Sequence, residues 1–179
     1  MNTADNRFLA AQLLQSLRDR YGDSEFGYRV QAFFAHVLVR LGANILEINA
    51  QGHPDVKATW YSKTLLIQVK TLLHRRADHM FEISEPDLAG ITPPSKTYVG
   101  YLALLDCAAP IEWITVDYDK VRRHLRHPVH TVTLKADSNV SLSRDCTHEF
   151  AQLIVDKKDR LFDLRYTLLC ERAIRGHAV

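Results

Sequence analysis

The sequence predicts a single α/β domain: a mixed central sheet of about five strands with helices on both faces and further helices at each end. Three observations lead there. Apolar residues recur at helical spacing near the start of the chain (Phe8, Leu9, Leu13, Leu14, Leu17) and near its end (Phe150, Leu153, Ile154, Leu161, Leu164, Leu168). Between them lie short runs rich in β-branched and aromatic residues, bounded by Gly, Pro and Asp. With 179 residues, 46% of them hydrophobic and 25% charged, the chain can fill one substantial core, and no repeat, low-complexity tract or linker divides it.

Taken in order, residues 5–20 read as a first helix, with Asp5 as its cap and Gly22 as its stop. A second helix follows over 27–40 and ends at Gly42. Residues 44–50 form a strand, and two more strands flank a turn at Tyr61-Ser62-Lys63. After a polar loop at 73–79, the segment 80–94 carries a helical turn that begins at Ser84, has Pro86 near its start and is terminated by Pro93-Pro94. Residues 97–105 and 112–116 alternate as strands around a turn at 106–110. A helix over 121–127, a short strand over 131–134 and a long C-terminal helix over 147–174 complete the reading.

The chemistry concentrates in the hairpin. Gly52-His53-Pro54-Asp55 precedes one strand, and Leu65-Leu66-Ile67-Gln68-Val69-Lys70-Thr71 forms the other. Residues two apart on a strand share a face, so Gln68 and Lys70 point one way while Ile67 and Val69 point the other. A turn at 61–63 pairs positions whose numbers add to about 124 or 125, which sets Asp55 across from Val69 or Lys70. Such a cluster suits phosphodiester hydrolysis with a hard cation. Asp55 and the Gln68 amide oxygen would hold the ion, the Val69 carbonyl would add a third oxygen, and Lys70 would orient water or neutralise phosphoryl charge. Mg²⁺ fits this ligand set best, with Mn²⁺ as the alternative. Taken singly, Pro-Asp after Gly-His is an ordinary turn sequence and a strand-end lysine an ordinary edge charge. Their order along the chain is what carries the reading.

That order resembles the PD-(D/E)xK nucleases, and among them the Mrr-like restriction endonucleases, whose last motif often reads Gln-x-Lys. The matching pieces are Pro54-Asp55, Gln68-Val69-Lys70 and the preceding helical stretch that ends at Gly42. The resemblance spans about residues 28–71. It implies a restriction-endonuclease-like sandwich with a core over about 28–121, metal-dependent DNA cleavage, and a role in restriction or phage defence. The family usually has a glutamate on the first helix; by spacing to Gly42 its counterpart here is Gln31, which also reads as an ordinary packing residue. With Gln68 where many relatives have an acid, Asp55 is the one sure acid of the cluster, unless Glu25 or Glu47 reaches in. Two other readings follow: a nuclease-fold module that binds nucleic acid without cutting it, and a small nuclease resembling the archaeal Holliday junction resolvases.

A formal net charge of +2 leaves a polyanion partner to local clusters. His74-Arg75-Arg76 directly follows the motif strand and would grip the DNA backbone, and Arg122-Arg123 is a second candidate contact. Cys107, Cys146 and Cys170 are widely spaced, which argues against a disulfide framework or a zinc ribbon and for the cytoplasm. No stretch approaches the roughly 18 apolar residues of a membrane span, so no membrane association is expected. A homodimer is compatible with the terminal helices.

Overall fold

The computed structural model describes residues 3–49, 53–72, 80–123, 130–133 and 138–163. Its centre is a five-stranded sheet in the order β1-β2-β3-β5-β6, built from β1 (Asn44–Ile48), β2 (Val56–Trp60), β3 (Lys63–Leu72), β5 (Tyr98–Asp106) and β6 (Glu112–Asp117). Strands β1 to β3 are antiparallel, β3 and β5 are parallel, and β6 returns antiparallel to β5. A separate two-stranded ribbon pairs β4 (Met80–Ile83) with β7 (His130–Thr133). The expected mixed α/β architecture is therefore present.

Helix α1 (Thr3–Arg40) packs with α4 (Val140–Asp156) on one face, over Ile67, Val69, Ala103, Leu105 and Trp113. The opposite face is apolar under α2 (Glu85–Gly90) and α3 (Tyr118–Arg123), with Ile91, Leu102, Leu104, Val116 and Val121. Covered on both sides, β5 is a continuous apolar run: residues Leu102 to Leu105 are all fully buried.

Several boundaries differ from expectation, each for a local reason. At the N-terminus the expectation holds: α1 is two helices that meet at Gly22 (φ 77°, ψ 169°), whose non-helical conformation, open chiefly to glycine, stops the first of them. The helix starts at Thr3, so Asp5 sits in the first turn, where its charge meets the positive end of the helix dipole, and does not cap it. Gly42 (φ 92°) does end α1: its N–H donates to Val39 and the Ala43 N–H to Leu38, the paired closure of a left-handed cap. The hairpin turn is one residue tighter than expected. Only Tyr61 and Ser62 connect Trp60 to its partner Lys63, with Tyr61 at φ 53° as two-residue hairpin turns require.

Helix α3 begins at Tyr118, directly after β6, and residues 124–127 of the expected helix lie outside the described residues. The C-terminal helix begins seven residues before the expected Thr147 and stops at Asp156. Asn139 caps it by accepting from the Leu142 N–H. Ser143, ahead of the expected helix start, and Thr147, at that start, turn their hydroxyls to the edge of β6 and accept the Thr115 and Trp113 N–H groups. An open strand edge is thereby satisfied from the helix. After Asp156 the chain turns back, and Leu161 is buried with its carbonyl accepting from Arg29. That residue keeps the apolar spacing without continuing the helix; residues 164–174 lie outside the described set.

Candidate active site

The hairpin register sets the centre of the site. Val56 pairs with Ile67, so successive partners have numbers adding to 123, and the position of Asp55 faces Gln68; the expected partner was Val69 or Lys70. The loop before β2 is tied to the end of β1: the Asn49 N–H donates to the Asp55 carbonyl (2.8 Å), and the Asn49 side chain donates to Pro54 (2.9 Å). Asp55 is 4% exposed. Its Oδ2 accepts from the Gln68 Nε2 (2.6 Å) and from the Val69 N–H (2.8 Å). The N–H and C=O of one strand residue point to the same side, so the Val69 carbonyl is directed toward this edge too.

Three expected residues, Asp55, Gln68 and Lys70, thus meet at one end of the sheet. Two others join them. His53 Nδ1 lies 3.0 Å from the Gln68 Oε1, and Asp87 on α2 binds the Lys70 ammonium at 2.8 Å while standing 3.5 Å from His53 Nδ1. The result is a continuous polar chain: Asp55, Gln68, His53, Asp87, Lys70. Sequence reasoning missed Asp87. Its one signal was the spacing Ser84-x-x-Asp87, which pointed to a capping box, and that box is present: the Ser84 Oγ accepts from the Asp87 N–H, and the Ser84 N–H donates back to the Asp87 Oδ2.

The two carboxylates differ in their electrostatics. Burial pushes the Asp55 carboxyl up to about 6, against the opposing pull of the Val69 N–H, Lys70 and His53. At Asp87 burial acts in the same upward direction, but hydrogen bonds from Lys70 and Ser84 outweigh it and hold the carboxyl below its ordinary value. Burial also pushes the Cys107 and Cys146 thiols up to about 12, which disfavours the thiolate that a nucleophile needs.

Asp55, the Gln68 amide and the main chain of Val69 each carry an oxygen of the kind a hard divalent cation takes, although the Gln68 and Val69 groups that face the buried Asp55 carboxylate are their nitrogens. Gln68 now turns its amide nitrogen to Asp55 and its oxygen to His53, so ligation by Gln68 requires the amide to turn over. Among the described residues no group of three or more His, Cys, Asp or Glu is arranged as a metal cluster, which leaves neutral oxygens and water to complete any coordination around Asp55.

Gln31 and Glu25, the expected supports, line an open cleft of about 520 Å³ together with Tyr28, Val69, Lys70 and Thr71. The Gln31 Oε1 is buried with no hydrogen-bond partner, whereas Glu25 is engaged by Arg29 (3.0 Å). Glu47 stays exposed on β1 beside Lys57 and is not part of the cluster. Arg122 is exposed at the end of α3; the Arg123 side chain, Arg75 and Arg76 lie outside the described residues. No described helix is long and apolar enough to cross a membrane. In comparisons with known protein families and with curated proteins, the chain matches none.

Proposed function

We propose that this chain is a divalent-cation-dependent phosphodiesterase acting on DNA, built as the restriction-endonuclease-like sandwich it resembles and working in the cytoplasm. The observation that carries the reading is the convergence of Asp55, Gln68 and Lys70 at one sheet end, with the main chain of Val69 turned to the same point. Asp55 would hold Mg²⁺ or Mn²⁺ with the Gln68 and Val69 oxygens. Such an ion, when bound, polarises the phosphoryl group and acidifies a coordinated water.

The chain's own residues do the rest. Asp55 supplies the anionic charge that retains the cation, and its burial strengthens that attraction over what an exposed acid offers. Gln68 adds a neutral ligand. Lys70 brings a compact positive charge to the same edge, where it stabilises charge building on the non-bridging oxygens. The test is plasmid nicking with Mg²⁺, with Mn²⁺ and with chelator, using wild type and Asp55→Asn. Cleavage that needs the metal and is lost in the variant supports the reading; no product at any protein concentration refutes it.

A second reading has its own observation. The Gln68 amide already satisfies Asp55 as a hydrogen-bond donor, and an arrangement complete without a cation suits a module that binds nucleic acid and does not cut it. DNA retention without metal-dependent product would favour it. Faster cleavage of branched than of linear DNA would instead select a junction-resolving nuclease.

A further inference from the structure

We propose that Asp87 is a positioning residue for Lys70: a buried carboxylate on α2 fixes the ammonium at the edge of the site, so that the helix behind the sheet sets the aim of the lysine. The proposal rests on the phosphodiesterase reading of Asp55, Gln68 and Lys70.

The geometry exceeds what a capping box needs. A capping carboxylate has only to accept the N–H of the cap residue, and on a surface helix it does so in water. Asp87 is 2% exposed and directed at the sheet. Its Oδ2 accepts from the Ser84 N–H (3.1 Å), the Ser84 hydroxyl (2.5 Å) and the Lys70 ammonium (2.8 Å), while Oδ1 faces His53. The carboxylate is therefore held from its own helix before it meets the lysine.

Lys70 needs such a hold. Its side chain is 36% exposed, and a free lysine on a flexible four-carbon stem spreads its charge over many rotamers. Pairing with a buried, already oriented acid removes that freedom. The helix carrying the acid is itself seated without slack: a Cβ on Gly90 would lie 2.5 Å from the His53 Cβ, and one on Gly100 would lie 1.9 Å from the Ile91 carbonyl. Because Asp87 already balances the charge of Lys70, the lysine adds little to general attraction for DNA. Its effect falls on the chemical step.

Two measurements test this. The first is the ¹H–¹⁵N spectrum of the lysine ammonium groups in the metal-free protein. An ordered, hydrogen-bonded Lys70 ammonium gives a resolved signal in wild type and loses it in Asp87→Asn. The second is single-turnover cleavage at saturating DNA with Mg²⁺. Asp87→Asn lowers the rate by about 10- to 100-fold with DNA affinity within about twofold, and the double variant with Lys70→Ala loses no more than Lys70→Ala alone, because Asp87 acts only through the lysine. No ordered Lys70 signal in wild type, a wild-type rate in Asp87→Asn, or additive losses in the double variant would each overturn the proposal. If wild type cleaves nothing, the phosphodiesterase reading falls, and the ammonium spectrum alone decides whether Asp87 holds Lys70.

Discussion

Asp55 is under two opposing demands, since metal binding needs its anion and burial resists it. The native carboxyl keeps its proton to about pH 6, whereas in the unfolded chain it ionises near 3.9. Between those values the native state binds more protons than the unfolded state, so the contribution of this group to stability falls as pH rises from about 4 to about 6 and stays lost above that. Asp55→Asn has no such ionisation. Without metal, the variant should gain on wild type as pH rises across that window, by on the order of 2 kcal/mol at pH 7.5, while losing metal-dependent cleavage entirely. Urea unfolding at pH 4.5 and 7.5 measures it; a difference that does not change with pH would remove the buried-anion account. Lys70→Ala should lower the single-turnover rate by roughly 10² to 10³ and change DNA affinity less than about tenfold. Lys63, at the far end of β3 and bound to the Lys96 carbonyl, is the control. Equal small effects in Lys63→Ala and Lys70→Ala would end the case for Lys70 in the chemistry.

Elements meet through main-chain contacts that tolerate little added bulk. Gly100 lies on β5 where the Ile91 carbonyl crosses it, and that neighbour is backbone, which cannot swing aside. Gly100→Ala should destabilise the fold by about 2–4 kcal/mol, read as a lower urea midpoint with an unchanged slope. On the other face, α4 guards β6. Thr147→Val keeps the shape of the side chain but removes the oxygen that accepts the buried Trp113 N–H (2.8 Å), and should lose about 1–3 kcal/mol. A Thr147→Val protein as stable as wild type would mean that the β6 edge needs no acceptor from the helix.

For the whole molecule, recognition depends on where positive charge lies, because the net charge of +2 gives little overall attraction for a polyanion. If Arg75 and Arg76 contact phosphates, replacing both with alanine should weaken binding to every DNA sequence. It should also flatten the dependence of log affinity on log salt by about two units, at roughly 0.9 per contact. The same pair of changes at Arg122 and Arg123 should do less. A titration series in salt with a short duplex reads both, and an unchanged slope at Arg75 and Arg76 would refute that contact.

By itself the sequence determined the local relations. Period-two alternation assigned Gln68 and Lys70 to one face and Val69 to the other, and a short turn brought Asp55 alongside them, because residues within one hairpin have few ways to meet. It also determined that Gly42 ends a helix, and that β3 and β5 lie in a sheet covered on both faces. Tertiary structure decided what depends on partners distant in the chain. The crossover from β3 through α2 to β5 delivers Asp87 to Lys70, and at sequence level an acid three residues after a serine is indistinguishable from a plain cap. Ribbon β4–β7 joins four-residue strands about fifty residues apart: β7 was legible as a short strand over 131–134, but β4 and the pairing between them left no local signal. The hydroxyls of Ser143 and Thr147 became edge acceptors only once α4 had docked on β6. An amino-acid pattern records which face of an element avoids water; which neighbour covers that face is decided by the packing of the whole chain.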